Sequence, residues 1–211
     1  YCWRAAAFGD KAYLCGRRKI GFAIAPRGEP NEVESLMLES DDGLIWRKRA
    51  VFQEIAGDET AFLFEPDGSV LAVGRRGGEP AQLLRTSPPY THWDRKDLDR
   101  YIGGPLLTKW GDRYLVGGRK TTKEGGPKTS LCWLVGDQLH EFAELPSGGD
   151  NSYPGFVEWE PGRALGFWAL ANASAHALGP PISGFLIDLL GWRAAFLSSV
   201  PLCVVNIVAV W

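Results

Sequence analysis

Charged residues are almost missing from the last quarter of the sequence. Of the Lys, Arg, Asp and Glu side chains, only Asp188 and Arg193 lie beyond residue 163. The runs 164–187 and 194–211 carry no formal charge, and each is close to the roughly 20 apolar residues that a helix needs to cross a bilayer. The sequence therefore predicts two transmembrane helices, at about 164–190 and 194–211, and a membrane location for this part of the chain.

Other features that would define a class of function are also absent. The four cysteines show neither a Cys-x-x-Cys spacing nor a companion histidine pattern, so neither a zinc site nor a disulfide framework is predicted. The net charge of −2 argues against a nucleic-acid-binding protein. We therefore expect no metal, no cofactor and no nucleic-acid partner.

A strand–turn–strand pattern recurs through the charged first part of the sequence. Three copies read AAAFGDKAYLCGRR at 5–18, AFLFEPDGSVLAVGRR at 61–76 and PLLTKWGDRYLVGGRK at 105–120, and a fourth begins with GFVEWEPGRAL at 155–165. Equivalent turn residues recur every 45 to 57 positions, with further short strand candidates between the copies. About four strands in roughly 40 to 50 residues is the size of one β-propeller blade, so the pattern predicts about three and a half blades over residues 1–163.

One loop in this part resembles the Asp-box of sialidase-like propellers. In ESDDGLIW at 39–46, Asp41, Gly43 and Trp46 match the pattern S/T-x-D-x-G-x-T-W, and TSPPYTHW at 86–93 is a degraded second copy. The aspartate and glycine are expected to satisfy backbone amides of a hairpin turn, with the tryptophan packed beneath it. Because the box is structural, the resemblance implies a sialidase-like β-propeller fold more than it implies a reaction.

The strand pairs also resemble sialidases, and this resemblance implies a catalytic site. ETAFLFEPDGSVLAVGRR resembles the stretch with a buried glutamate and one arginine of a substrate-binding triad, which assigns those roles to Glu59 and Arg75. NSYPGFVEWEPGRAL offers Tyr153 as the nucleophile, and Arg119 and Arg17 end their strands in the same Gly-Arg pattern. Three converging guanidinium groups would bind a carboxylate such as that of sialic acid or another acidic glycan. A tyrosine beside a buried glutamate could attack an anomeric carbon.

The same resemblance implies that the site is incomplete. Sialidases carry the general-acid aspartate and the first triad arginine in an opening blade, and the sequence starts after that region. Loss of acid catalysis lowers a rate by about 10² to 10⁴. We therefore expect sialidase ancestry without intact activity. A membrane-tethered sialidase and a glycan-binding propeller that does not hydrolyse its ligand are the alternatives.

The C-terminal part resembles a different family, the drug/proton antiporters of the major facilitator superfamily. GPPISG, with Gly179, Pro180 and Gly184, matches that family's G-P-x-x-G-G signature except for one serine. GWRAAFLSSVP, with Trp192 and Arg193, matches the G-W-R-x-x-F-x-x-x-x-P that follows it. The resemblance implies the fifth and sixth helices of a twelve-helix transporter. Transporter sites form between repeats, so two helices alone are not expected to transport.

Two incomplete pieces of unrelated proteins therefore meet near Gly162. GRAL at 162–165 fits both patterns, because it enters a strand in the propeller and the fifth helix in the transporter. No Pro-, Gly- or Ser-rich linker separates the parts, as would be expected between complete domains. The sequence thus predicts a mainly β chimera: an incomplete sialidase-like β-propeller at 1–163 and two transmembrane helices at 164–211, with the side of the membrane left open. A transporter fragment that assembles with a full transporter is the remaining alternative.

Overall fold

The computed structural model describes residues 2–19, 33–121, 126–145, 153–160 and 163–167. The chain divides into two units, Tyr1–Ala169 and Leu170–Trp211, and all the described residues belong to the first. Within these ranges no helix is long and apolar enough to span a membrane. The predicted helices beyond residue 167 lie outside the described residues, as do the transporter motif residues Gly179, Pro180, Gly184, Trp192 and Arg193.

The described residues form fourteen strands in four antiparallel sheets. The first sheet comprises β1 (Cys2–Phe8), β2 (Lys11–Lys19), β3 (Val33–Ser40) and β4 (Arg47–Gln53). The second comprises β5 (Gly57–Phe64), β6 (Val70–Arg76), β7 (Glu79–Thr86) and β8 (Asp94–Asp97). The third comprises β9 (Gly103–Trp110), β10 (Arg113–Lys120), β11 (Lys128–Val135) and β12 (Gln138–Leu145). The fourth is the hairpin of β13 (Gly155–Glu160) and β14 (Arg163–Phe167).

Each four-stranded sheet is a meander, in which every strand pairs with its neighbours in sequence. The first strands of successive sheets lie side by side, because β1 contacts β5, β5 contacts β9 and β9 contacts β13. Successive meanders with adjoining first strands are the arrangement of blades in a β-propeller. The described part of the chain is therefore mainly β and propeller-like, with three four-stranded sheets and a hairpin.

The first strand of the second sheet, β5, is buried on both faces, and its sequence shows why. In β5, Ala61 and Leu63 belong to the apolar cluster shared with the third sheet, whereas Phe62 and Phe64 belong to the cluster shared with the first. Side chains alternate between the faces of a strand, so a strand with two buried faces is apolar at successive positions. The rings of Phe64 and Phe8 of β1 stack with their centroids 5.0 Å apart. This packing holds the first two sheets together.

The β3–β4 turn is stabilised by a carboxylate, but the residue is Asp42 and not Asp41. Asp42 Oδ1 accepts hydrogen bonds from the backbone N–H groups of Leu44 and Ile45, both at 2.8 Å. Asp41 contacts Lys11 Nζ at 3.1 Å instead. The role predicted for Asp41 is therefore wrong by one position, because the turn is one residue tighter than the pattern to which it was aligned.

Ser40, Gly43 and Trp46 complete the same turn. Ser40 Oγ donates to Asp42 Oδ1 at 3.0 Å and accepts from the Gly43 N–H at 2.9 Å. Gly43 has a φ of +73°, a conformation that favours glycine. Trp46 Nε1 donates to the Gly43 carbonyl oxygen at 3.2 Å. The structure therefore places Gly43 and Trp46 in the turn, and Ser40 supplies the hydroxyl group that the sequence pattern lacked at position 39.

The fourth copy of the repeat forms a hairpin that passes the predicted domain boundary. The pairing of β13 with β14 runs from Gly155 opposite Phe167 to Glu160 opposite Arg163. Residues 164–167 are therefore in a strand, and the rest of the helix predicted at about 164–190 lies outside the described residues. Pairing with β13 gives the backbone groups of β14 hydrogen-bond partners that a helix would have supplied internally.

Candidate functional site

The predicted site residues lie at one end of the sheets. Glu59 is near the start of β5, Arg75 is near the end of β6, and Tyr153 precedes β13. In an antiparallel pair the start of one strand lies beside the end of the next, which brings Glu59 and Arg75 together. Because the first strands adjoin, the same end of the neighbouring sheets adds Arg17 of β2 and Arg119 of β10.

Tyr153 and Glu59 are joined by a hydrogen bond although they lie 94 residues apart in sequence. Tyr153 Oη donates to Glu59 Oε1 at 2.7 Å. Glu59 is 3 % exposed, whereas Tyr153 is 41 % exposed. A ligand in solvent can therefore reach the tyrosine, while the carboxylate that contacts it is shielded from water.

Glu59 accepts two further hydrogen bonds through its other oxygen. Arg75 Nη1 donates to Oε2 at 3.1 Å, and the backbone N–H of Gly104 donates to it at 2.9 Å. Burial acts to raise the pKa of Glu59, but the hydrogen bonds from Tyr153, Gly104 and Arg75 outweigh it, and the pKa lies below its ordinary value. Glu59 is therefore ionised at neutral pH and can accept a proton.

Tyr153 is protonated at neutral pH. Burial, the hydrogen bond to Glu59 and the charge of Glu59 together raise the pKa of Tyr153 to about 12, and the charges of Arg119 and Arg75 act in the opposite direction. A phenol in this state is a weak nucleophile until a base removes its proton as the new bond forms. The geometry supplies that base, since the acceptor of the phenolic hydrogen bond is an ionised carboxylate.

Two residues that were not predicted from the sequence connect the three predicted arginines. Asp58, 6 % exposed, lies between two of them, with Oδ1 3.5 Å from Arg17 Nη1 and Oδ2 3.6 Å from Arg75 Nε. The ring centroid of Tyr101 is 5.6 Å from Arg75 Cζ, and its hydroxyl accepts a hydrogen bond from Arg119 Nη2 at 3.1 Å. Asp58 could have been noticed as a second carboxylate beside Glu59, whereas no sequence pattern marks Tyr101.

Arg4 of β1 also reaches this site. Its Nε donates to the carbonyl oxygen of Pro105 at 3.0 Å, and its Nη2 donates to that of Pro154 at 2.9 Å. Burial lowers the pKa of Arg4, while the charge of Glu59 acts to raise it. Arg4 and Pro105 line a cavity of about 130 Å³ beside the Tyr153–Glu59 pair. Arg4 was not predicted from the sequence because it does not end a strand in the Gly-Arg pattern.

A larger cavity of about 780 Å³ lies at the opposite end of the sheets. Its wall includes Ser69 of the β5–β6 turn, Ser87 after β7 and Gly136 of the β11–β12 turn, and none of the predicted catalytic or substrate-binding residues. The predicted nucleophile Tyr153 and its partner Glu59 line the smaller cavity, which we take as the candidate site. In the part of the chain that the structure describes, no three or more His, Cys, Asp and Glu side chains are grouped so that they could hold a metal ion.

The site and sheets define a propeller-like β protein, whereas comparison with protein families concerns the C-terminal part. The model of the Major Facilitator Superfamily matches residues 156–211 and confirms the resemblance of this part to that family. Over 40 residues the chain is 48 % identical to the Methylenomycin A resistance protein of Bacillus subtilis (strain 168), a stretch that covers 19 % of this chain and 9 % of that protein. The family match indicates a membrane-associated C-terminal segment.

Solved structures similar to the chain include propeller-like glycosidases. A protein of unknown function from Dyadobacter fermentans DSM 18053 is similar with a TM-score of 0.56 and 19 % identity, covering 74 % of this chain and 45 % of that one. The xylan beta-1,4-xylosidase from Bacillus halodurans C-125 is similar with a TM-score of 0.56 and 14 % identity, covering 77 % of this chain and 36 % of that one. At these identities the similarity shows the fold alone. The chain spans less than half the length of either protein.

The transporter match and the β-sheet structure overlap in the last hairpin. The Major Facilitator Superfamily match begins at residue 156, within β13, and β14 ends at Phe167. Residues 156–160 and 163–167 therefore have strand pairing in the structure and also match the sequence of the transporter family.

Proposed function

We propose that the propeller-like part retains the nucleophile and base of a sialidase-type glycoside hydrolase site. The observation that carries this proposal is the 2.7 Å hydrogen bond from Tyr153 Oη to the buried carboxylate of Glu59. A tyrosine nucleophile is the sialidase exception to the two-carboxylate scheme of glycoside hydrolysis. Tyr153 would attack the anomeric carbon of the sugar while Glu59 takes the phenolic proton.

The charges around this pair support a ligand that carries a carboxylate. The connected group holds three guanidinium groups, those of Arg17, Arg75 and Arg119, and two carboxylates, those of Asp58 and Glu59, which leaves an excess of one positive charge. Guanidinium groups bind carboxylates through paired hydrogen bonds. We therefore propose sialic acid or another acidic glycan as the ligand.

The described residues also suggest which substrates the site would turn over. Among the described residues that line the small cavity, Glu59 is the one carboxylic acid, and its role is that of the base. An alkyl glycoside needs an acid to protonate its leaving oxygen, whereas an activated aryl glycoside leaves as a stable phenolate. We expect turnover of an aryl sialoside and no efficient turnover of a natural sialylated glycan.

The test compares two tyrosine–glutamate pairs of the same chain. Tyr114 Oη donates to Glu65 Oε1 at 2.6 Å, and both residues line the larger cavity at the opposite end of the sheets. With 4-methylumbelliferyl sialoside as the substrate, Tyr153→Phe should lower the rate of fluorophore release by about 100-fold or more, and Tyr114→Phe should leave it unchanged. Absence of release by the wild-type chain, or full release by Tyr153→Phe, would refute the proposal.

We further propose that the chain is a chimera, in which the propeller-like part is joined to a fragment of a transporter. The overlap of strand pairing and the transporter match at residues 156–160 and 163–167 supports a junction in this region. The lipid bilayer is then the partner of the segment beyond residue 167, where two transmembrane helices are proposed, and neither fragment is expected to have the intact activity of its parent.

Long-read sequencing of the source DNA across the codons for residues 155–170 tests the chimera. Two separate reading frames, each matching one part of the chain, are expected. A single native transcript that encodes further blades upstream or the remaining transporter helices downstream would contradict it.

A further inference from the structure

Arg4 bridges two segments that are far from it in sequence. Its two hydrogen bonds to carbonyl oxygens reach Pro105, 101 residues away, and Pro154, 150 residues away. Pro105 is in β9, and Pro154 lies between Tyr153 and the start of β13. One side chain of β1 therefore links the first strand of the third sheet to the segment that carries Tyr153.

One of these segments carries Tyr153, and the other carries a hydrogen-bond donor to Glu59. Pro154 directly follows Tyr153, whereas Pro105 directly follows Gly104, whose N–H donates to Glu59 Oε2 at 2.9 Å. Proline fixes its own φ and restricts the residue before it, so holding the Pro154 carbonyl group also limits the backbone of Tyr153. The donors of a guanidinium group are fixed in one plane, which sets the spacing of the two carbonyl groups that Arg4 contacts.

We propose that Arg4 is a positioning residue that holds Tyr153 at hydrogen-bonding distance from Glu59. This role rests on the proposed function, in which Tyr153 is the nucleophile. Arg4 contacts the backbone on both sides of the Tyr153–Glu59 contact, because its Nε and Nη2 atoms both donate hydrogen bonds to backbone carbonyl oxygens. We therefore assign it to the geometry of the site and not to binding of the sugar.

The chain offers a matched control for loss of an arginine that donates to two carbonyl groups. Arg95 of β8 donates from Nε to the carbonyl oxygen of Phe52 at 2.9 Å and from Nη2 to that of Val51 at 3.2 Å. It thus links two sheets in the same manner as Arg4. Neither Arg95 nor its partners line the small cavity beside Tyr153.

The experiment measures nitration of Tyr153 by tetranitromethane at pH 8 in the full chain, without substrate, with peptide mass spectrometry as the readout. The reagent attacks the phenolate, and each unit by which the pKa of the tyrosine falls raises the phenolate fraction about tenfold. Arg4→Met should raise the rate of Tyr153 nitration at least about fivefold, because the phenol is no longer held against Glu59. Arg4→Lys should give a smaller rise, and Arg95→Met should stay within about twofold of wild type.

A Tyr153 nitration rate in folded Arg4→Met within about twofold of wild type would overturn the proposal, as would an equal rise in Arg95→Met. If circular dichroism shows that Arg4→Met does not fold, the nitration rate of Arg4→Gln is measured instead and is compared with the same thresholds. The glutamine side chain is shorter than that of arginine and cannot donate to both carbonyl groups.

Aryl sialoside kinetics separate this proposal from the proposed function. If the wild-type chain is active, Arg4→Met should lower kcat at unchanged KM, with partial recovery in Arg4→Lys, and a change confined to KM would overturn the positioning role. If the wild-type chain releases no fluorophore, the proposed function fails, and nitration still decides whether Arg4 positions Tyr153.

Discussion

Replacing Glu59 by glutamine should strongly destabilise the propeller-like part, because this substitution neutralises a buried carboxylate. Glu59 is 3 % exposed and accepts hydrogen bonds from Tyr153 Oη, Arg75 Nη1 and the Gly104 N–H. Glutamine preserves the shape of the side chain, but its NH₂ group cannot accept any of these bonds. It also removes the negative charge opposite Arg75.

The size of the effect follows from the contacts that remain. Breaking a buried charge pair by removing one charge costs about 3–5 kcal/mol. Arg75 would keep Asp58 at 3.6 Å, and its side chain is 23 % exposed, so part of this cost is offset. We expect the free energy of unfolding to fall by about 2–3 kcal/mol, which lowers the Tm of a unit of this size by roughly 5–10 °C.

Thermal unfolding of the full chain in mild detergent, followed by near-ultraviolet circular dichroism, measures this shift. Glu144→Gln is the matched control, because Glu144 pairs with Lys120 Nζ at 2.6 Å but its side chain is 43 % exposed. Exposed pairs contribute little, so the control should lower Tm by less than about 2 °C. If Glu59→Gln lowers Tm no more than Glu144→Gln does, the reasoning about the buried carboxylate is refuted.

The difference in Tm between wild type and Glu59→Gln should depend on pH. The pKa of Glu59 is lowered in the folded chain, so its contribution to stability is present above its ordinary pKa of about 4.3 and is lost as pH falls through the lowered value. The difference in Tm should therefore be constant between about pH 6 and 8 and should narrow below about pH 4. A difference that widens on acidification would contradict the direction of this pKa shift.

Three further substitutions are checked by the same unfolding measurement. Asp42→Ala should lower Tm by a few degrees, because it removes the acceptor of hydrogen bonds from two backbone amides. Asp41→Ala should lower Tm less, and equal shifts in Tm would contradict the assignment of the turn to Asp42. Gly57→Ala should cost about 2 kcal/mol or more, because its Cβ would overlap the backbone of Ser35, and Gly78→Ala, which faces open space, is the control that should stay near wild type. Tyr153→Phe should cost about 1 kcal/mol at pH 7, since the 41 % exposure of the ring weakens the effect expected from a pKa raised to about 12. A raised pKa stabilises the fold below about pH 10, and this contribution is lost as pH rises through 12, so a cost of Tyr153→Phe that grows above pH 10 would contradict it.

Patterns in adjacent residues predicted the strands but not the details of their ends. Each copy of the repeat forms the first two strands of a sheet, because alternating apolar residues and a tight turn define a hairpin locally. The sequence alone did not predict that Asp42, and not Asp41, stabilises the β3–β4 turn. Only the hydrogen bonds of the folded chain show that this turn is one residue shorter than the Asp-box pattern. The predicted boundary at residue 163 falls within the last hairpin for a similar reason. The loss of charge marks a change of composition, whereas pairing with β13 decides that β14 continues to Phe167.

By itself the sequence determined the β-strand periodicity, the change in composition near residue 163 and, through resemblance, the roles predicted for Glu59 and Tyr153. Only the tertiary structure decided that these two side chains are in contact, that Asp58 and Tyr101 connect the arginines, and that Arg4 contacts both sides of the site. The physical reason is the range of the interactions. Periodicity and turn preference act between near neighbours, whereas the bonds of Glu59 and Arg4 span 94 and 150 residues and form only when the separate sheets pack against one another.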